Sequence, residues 1–409
     1  MLRLAVVGVG GFGAHWRQVL EPLEQRGVAR IAAVTDANAA LLGELRPELE
    51  RRGVRVYDSF DAMLSQSHDQ ADVVGLPVAI ASHAPLTLRA LQAGYPVLVE
   101  KPAAATVQDV LRMQAAERAS GNWCAVDYQY LYSPITPWVL SKLTDGSLGA
   151  LHEARVRTDW PRAQAYYQRN AWAGRLKQGD AWVLDGPATN AVAHHLAHLL
   201  YWGSMGRAGL DCIAEVRAEL YRAKPIDSYD TSYIEARLTN GVRVIHVVSH
   251  AVTRTHNPEV LLLCDNGQLR WFSSEERVEV LYADGRLEQY APSDGLTLNE
   301  RTFVQTAEVV AGRAPRPTVG LEEAAPQVLA VNLAFESSAG VRVIPPEQTR
   351  EVAGEGGSPL VAVPGMEEAL ARAFEEGLSF SEQGLAWARP GVWVSAQGYR
   401  EFPRDLSLL

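Results

Sequence analysis

Only three cysteines occur among the 409 residues, Cys124, Cys212 and Cys264, widely spaced and without a CxxC pair. That usage excludes a disulfide framework, offers no thiolate zinc site, and fits a reducing cytoplasm. No run approaches the about 18 uninterrupted apolar residues that a membrane-crossing helix needs, so no span is expected. Basic residues are in deficit: 38 Lys and Arg stand against 48 Asp and Glu, for a formal net charge of −10. With no basic stripe, nucleic acid is not the expected partner. The opening residues, MLRLAVVGVGGFG, carry no signal-peptide cleavage pattern and run directly into a strand, which supports a cytoplasmic expectation. What remains is an ordinary globular composition, 47% hydrophobic and 21% charged. At about 100 to 200 residues per domain, it predicts two domains and a tail.

Leu4 to Val7 is a short apolar run, and Gly8-Val9-Gly10-Gly11-Phe12-Gly13 follows it at once. Helical spacing of Trp16, Val19, Leu20 and Leu23 comes next. This is GxGxxG in its required setting of strand, tight turn and helix. Gly8 permits the turn, Gly10 lets a diphosphate approach the backbone, and Gly13 lets helix and strand pack closely. A second strand, Ile31 to Thr35, ends on Asp36, some 20 residues further along, where a carboxylate can accept both ribose hydroxyls of NAD and repel the 2′-phosphate of NADP. The alternative is a glycine-rich turn followed by an incidental acidic cap.

Two more strands keep the rhythm: Ala71 to Leu76, ending on Pro77, and Pro96 to Val99, ending on Glu100 and Lys101. Helical spacing from His83 to Ala93 lies between them, with Gly94 as its C-cap. Such alternation predicts a parallel, doubly wound sheet, whose ligands bind beyond the carboxyl ends of the strands. Glu100 and Lys101 stand at that edge; a surface ion pair capping the strand is the bland alternative.

Gly8 to Gly13, Asp36, Pro77 with His83, and above all Glu100-Lys101-Pro102 resemble the glucose–fructose oxidoreductase/inositol dehydrogenase (Gfo/Idh/MocA) family. The resemblance continues through Asp127-Tyr128-Gln129-Tyr130, near Phe303 and in LAVNLAFESS, residues 329 to 338. It implies NAD, with NADP second, held by Gly8, Gly10, Gly11, Phe12, Gly13, Asp36, Pro77, His83, Glu100 and Lys101. It also implies that Lys101 lies beside the nicotinamide and the reacting hydroxyl.

Beyond Tyr132 the character changes to strand-like runs at 232–238, 242–248, 259–263, 268–272 and 278–282. Asn240-Gly241, Asn266-Gly267 and Asp284-Gly285 fall between consecutive runs, which is hairpin chemistry. A largely antiparallel sheet follows, with one face on helices and the other open. The resemblance implies a second copy on that open face, and hence a homodimer or homotetramer. The expected fold is thus an α/β Rossmann domain (1–126), an α+β domain with a large open-faced sheet (127–345) and an extension (346–409). In that extension 345–358 reads as a linker, 366–376 as a helix and 391–402 as a strand with a turn.

In VLDGPATNAVAHHLAHLLYW, residues 183 to 202, Thr189 or Asn190 can begin a helix that carries His194, His195 and His198. The resemblance calls for Asp or Asn and a His four residues later on one face, which Asn190 and His194 satisfy. His195 competes in a frame shifted by one, where the acidic position is Ala191. A carboxylate would raise the histidine's basicity, whereas Asn190 could only orient it. Polar histidines on a structural helix are the other reading, and no acidic ligand accompanies His194 and His198 to make a metal site. Arg169 and Trp172, in a loop rich in Tyr, Arg and Trp, can hydrogen-bond and stack on a sugar ring, or simply pack.

The function these features imply is hydride transfer between NAD and a polyol or sugar. His194 takes the alcohol proton, with Asn190 and Lys101 completing the catalytic set and His195, Arg169 and Trp172 contacting substrate. Two other readings share the fold: an NAD-dependent glycosidase acting by transient oxidation, and a non-catalytic nucleotide sensor. Substrate identity, reaction direction and the choice of dimer or tetramer are not legible in the sequence.

Overall fold

The computed structural model describes residues 1–404, without the side chain of Glu355, and the chain divides into two compact units. The first comprises Met1–Ala104, Asp109–Ser133 and Asp294–Ala324; the second comprises Ala105–Gln108, Pro134–Ser293 and the chain from Ala325 onward. The units therefore exchange segments where the sequence suggested consecutive blocks.

The first unit is built on six parallel strands in the order β3-β2-β1-β4-β5-β6. They are β1 (Leu2–Val7), β2 (Ala29–Thr35), β3 (Arg55–Val56), β4 (Val73–Leu76), β5 (Val97–Glu100) and β6 (Cys124–Asp127). Helices α1 (Phe12–Gln25), α2 (Ala39–Arg51), α3 (Phe60–Gln66), α4 (Ile80–Gln92) and α5 (Val107–Ser120) connect them. β4 and β5 are buried along their whole length, as unbroken apolar runs require in a sheet covered on both faces. Strand order reverses between β1 and β4, the switch point at which such sheets open a crevice. The segment 294–324 joins this unit through the later helix α9 (Leu298–Val310), opened by a Thr297–Glu300 capping box. Its Phe303 packs edge-on to Trp16 of α1, with ring centroids 5.0 Å apart.

The second unit begins with α6 (Ile135–Thr144) and β7 (Leu151–Asp159). After α7 (Gln164–Gln168) and a small hairpin of β8 (Lys177–Gln178) and β9 (Ala181–Trp182), a π turn at Pro187–Ala191 leads into α8 (Ala193–Gly203). Seven strands follow: β10 (Ile213–Arg222), β11 (Thr231–Leu238), β12 (Arg243–Ser249), β13 (His256–Cys264), β14 (Gly267–Phe272), β15 (Arg277–Tyr282) and β16 (Leu287–Tyr290). The five strand-like runs of the sequence are β11 to β15; Asn240-Gly241 and Asn266-Gly267 lie in or beside the β11–β12 and β13–β14 turns, and Asp284-Gly285 lies between β15 and β16. β7 runs between β12 and β13, parallel to the first and antiparallel to the second, and completes a mostly antiparallel sheet of ten strands.

Past α10 (Leu321–Ser338) and β17 (Arg342–Val343), the stretch read as a linker contains β18 (Arg350–Ala353). It forms a hairpin with β19 (Pro359–Ala362). Then come α11 (Met366–Glu376) and β20 (Val394–Ser395), the only part of 391–402 that is strand. The sheet face expected to be open is not open. While α8 covers one face, α11 and the segment after it cover the other, burying Tyr221, Tyr233, Ile245, Val247 and Leu261. The apolar residues that alternate with charged ones along β10 to β13 find their partners in the chain's own tail. The expectation of a dimer or tetramer through an open face therefore loses its premise.

Candidate cofactor and catalytic site

β1 delivers the glycine loop. Gly8 turns at φ 89°, and Gly13 lies so close beneath it that a Cβ there would stand 2.1 Å from the Gly8 carbonyl oxygen. No side chain caps the N-terminus of α1, whose N-cap is Gly11. β2 places Asp36 beside the same loop: Oδ2 accepts from Val9 N (2.7 Å) and Gly10 N (3.4 Å), and Oδ1 accepts from Asn38 N (2.8 Å). Pro77, just past β4, borders the loop at Gly8 and Gly13, while Phe12 is 47% exposed. An uncapped helix N-terminus, a loop without side chains and a carboxylate at the neighbouring strand end fit a dinucleotide's diphosphate and ribose.

Lys101 leaves the end of β5 above a buried acidic pair. The β5–β6 register sets Glu100 beside Asp127, and the two carboxyls hydrogen-bond to each other. Glu100 is 5% exposed, so it lies beneath the crevice edge rather than on it. Its Oε1 accepts from Trp16 Nε1 (2.8 Å) and its Oε2 from the Lys101 backbone N–H (3.2 Å). Thr302 Oγ1 donates to Asp127 Oδ1 at 2.6 Å.

Burial, reinforced by the charge of Asp127, raises the Glu100 pKa well above the carboxylate range. Burial also raises Asp127, but the hydroxyl of Thr302 and the carboxyl of Glu100 both donate to it. The proton therefore favours Glu100 over Asp127. Lys101 favours the ionised form of both carboxyls.

His83 ties this edge to β4. Its Nδ1 is 2.7 Å from Pro102 O and its Nε2 is 3.0 Å from Val78 O. Two carbonyl neighbours favour a charged ring, but burial outweighs them and takes the pKa down to about 4. The ring is neutral and donates one N–H. Both nitrogens face backbone, so the histidine holds the Lys101–Pro102 turn in place.

The second unit gathers another set. The spacing argument drew Asn190 and His194 on one α-helical face, but the backbone breaks between them at Val192 (φ −122°), where the π turn gives way to α8. Tyr229 packs against this turn. Its hydroxyl accepts from Thr189 N (3.1 Å), and its ring lies so flat on Gly186 that a Cβ there would be 2.4 Å away. Asn190 Nδ2 donates to Asp185 Oδ1 (2.9 Å), and the Gly174 N–H donates to Asp185 Oδ2 (2.7 Å). A buried carboxylate thus stands behind Asn190.

The three histidines of α8 diverge. His195 is 1% exposed, with Nε2 2.9 Å from Ser273 Oγ, and Ser273 donates to Pro258 O. Its ring lies 5.4 Å from that of Trp271. Burial, then His198 and His246, push its pKa well below the usual histidine value. His198, fully buried, meets Thr136 Oγ1 at 3.0 Å, and burial takes it to about 3. His194 is 8% exposed, more than either. Among the described residues no group of three His, Cys, Asp or Glu side chains could hold a metal.

In the loop after β7 the Arg169 guanidinium lies 3.7 Å from the Tyr166 ring centroid and 5.5 Å from that of Trp172. Asn170 Oδ1 accepts from the N–H groups of Trp172 and Ala173. A cavity of about 580 Å³ beneath the loop is lined by Tyr167, Asn170 and Lys224, not by Arg169 or Trp172.

Trp16, Thr302 and Asp185 were missed in the sequence as site candidates. Asp185 carried a signal: VLD ends an apolar run on an acid, as VLVE and AVD do. Thr302 carried none, because only the fold brings α9 to β6.

Residues 2–128 match the model of an oxidoreductase family with an NAD-binding Rossmann fold. A dTDP-3,4-didehydro-2,6-dideoxy-alpha-D-glucose 3-reductase of Streptomyces violaceoruber is 33% identical over 25% of this chain and 30% of its own. An inositol 2-dehydrogenase of Saccharopolyspora erythraea is 29% identical over 40% of this chain and 47% of its own. The chain therefore spans no more than about half the length of these curated relatives. Among solved structures, the WlbA dehydrogenase of Bordetella pertussis, in complex with NADH and UDP-GlcNAcA, shares the fold with a TM-score of 0.66 at 21% identity. That match covers 82% of this chain and 96% of the other. Among the described residues no helix is long and apolar enough to cross a membrane.

Proposed function

We propose that this chain, whose residues 2–128 match the Gfo/Idh/MocA oxidoreductase model, moves a hydride between a CH–OH carbon of a sugar, sugar derivative or polyol and NAD. The observation that carries this reading is Lys101 at the end of β5, next to the buried and paired carboxyls of Glu100 and Asp127. An ammonium at that strand end, beside buried carboxyls, is suited to hold a substrate hydroxyl and to stabilise the alkoxide as its proton leaves. NAD, when bound, supplies the hydride acceptor.

The glycine loop and Asp36 hold the cofactor in this reading, and the carboxylate of Asp36 favours NAD over NADP. In the second unit we assign the proton acceptor to His194. His195 is less suited, because Ser273 engages its Nε2 and Trp271 packs its ring. Asn190, braced by Asp185, serves as an orienting hydrogen-bond partner for substrate or base. Arg169 and Trp172 are candidate sugar contacts, since an aromatic face and a guanidinium pair naturally with a hydroxylated ring.

The substrate class follows what the named relatives act on: deoxy sugars and inositol. Incubation with NAD and a panel of nucleotide-activated hexoses, hexuronic acids, inositols and aldoses should yield NADH with at least one member. Tight NAD binding without NADH formation across the panel would remove the proposal.

A further inference from the structure

On the outer face of the second unit's sheet, Tyr221, Tyr233, Ile245, Val247 and Leu261 are each no more than 2% exposed, packed against Leu370, Ala373, Phe374 and Phe380 of the C-terminal segment. The seat is specific as well as apolar. The last carbonyls of a helix have no partner within it, and here the sheet supplies one. Arg155 Nη1 donates to Phe374 O (2.9 Å) and Glu375 O (2.7 Å). Arg243 Nη2 (2.7 Å) and the Tyr233 hydroxyl (3.1 Å) donate to Gly377 O. Both guanidiniums thus lie at the negative end of the α11 dipole. Each is held from the sheet side as well, Arg155 by Glu153 and Arg243 by Glu235.

Gly377 completes the fit. Its φ is 73°, and a Cβ there would stand 2.9 Å from Arg243 Nη1 and 3.0 Å from Arg155 Nη2. Further along, Glu219 Oε1 accepts from Ser381 Oγ (2.6 Å), and the Tyr221 hydroxyl accepts from Arg389 N (2.7 Å). The margin of the face beyond α11 carries ion pairs, Arg270 with Glu259 and Arg277 with Glu279. Its exposed apolar residues are Leu281 and Leu287, too few to seat a partner.

We infer that Met366–Arg389 is the built-in occupant of this sheet face and that the chain pairs with no second copy through it. For a copy to bind there, α11 would have to leave, exposing five large side chains and stripping its own terminal carbonyls. The tail does intramolecularly what a second copy would do for a bare sheet, so this face is closed to self-association.

Hydrogen exchange in β11, β12 and α11 should be slow and independent of concentration. Protection of these segments that rises with concentration, as a second copy binding there would give, would overturn the inference. Phe374→Asp should undock the tail, speed exchange in β11 and β12 at least tenfold and raise the mass, while NAD affinity stays within twofold. If that variant fails to fold, Leu370→Ala should produce the same exchange change more weakly. Undiminished protection of β11 and β12 in a folded variant would also overturn it.

Discussion

One negative charge shared by two carboxyls behind Lys101 leads to an unusual mutational pattern. In Glu100→Gln the amide still donates to Asp127 and still accepts from Trp16 Nε1; only the 3.2 Å bond from the Lys101 N–H is lost. In Asp127→Asn the hydrogen of Thr302 keeps its acceptor, while Glu100 loses the charged neighbour that reinforces burial in raising its pKa. Glu100→Gln preserves the charge and should cost about 1 kcal/mol or less, and Asp127→Asn should cost less than the double change because Glu100 is then freer to ionise. The double variant removes the charge altogether. An opposite charge about 4–6 Å away moves a pKa by about 1–3 units, so losing it should cost about 1.4–4 kcal/mol beyond the sum of the singles. Native-state hydrogen exchange of the β4 and β5 amides measures the opening free energy of the first unit for all four proteins. Adding Lys101→Met to the double variant should recover most of the loss. Strict additivity, or a single change as costly as the double, would refute the shared charge.

Acid should destabilise the second unit early. His195, His198, His246 and His250 are all buried, with burial the main cause of their lowered pKa values. Below about pH 6.5 the unfolded chain binds protons these rings refuse, so stability falls as pH falls. At about pH 5.5 each should cost about 1.4 kcal/mol, about 6 kcal/mol in all, seen as a steep drop in Tm; a flat profile from about pH 7 to 5.5 would contradict their burial as neutral rings. Asp36→Ala should weaken NAD binding about ten- to a hundredfold, the scale of losing hydrogen bonds to a charged group, and narrow the preference over NADP; unchanged discrimination by calorimetry would count against Asp36. His194→Ala should abolish turnover at nearly unchanged Tm, whereas His195→Ala should lose about 2–4 kcal/mol of stability and keep its kcat after folding; reversed outcomes would make His195 the base.

The first unit was legible because its chemistry is local: glycines, a strand and a helix lie within a few residues, and Asp36 follows at a fixed distance. Hairpin turns marked β11 to β15 for the same reason, since Asn-Gly and Asp-Gly specify their own geometry. Long-range exchanges left no such trace. Nothing in 294–324 announces that Phe303 will pack on Trp16, or that Thr302 will reach Asp127. The helical period holds over 193–202, but periodicity cannot register the contacts of Tyr229 with Gly186 and Thr189 in the π turn before α8. Likewise the amphipathic α11 was visible, while the face it would cover was not.

Lys101→Ala bears most directly on the proposed chemistry. With any substrate from the panel that reduces NAD, kcat measured by NADH formation should fall at least about a hundredfold, the scale of one lost transition-state contact, while Tm and NAD affinity stay close to those of the unaltered chain. A variant that keeps most of its kcat would contradict a catalytic lysine at the end of β5, and one that melts far earlier would make it a structural residue.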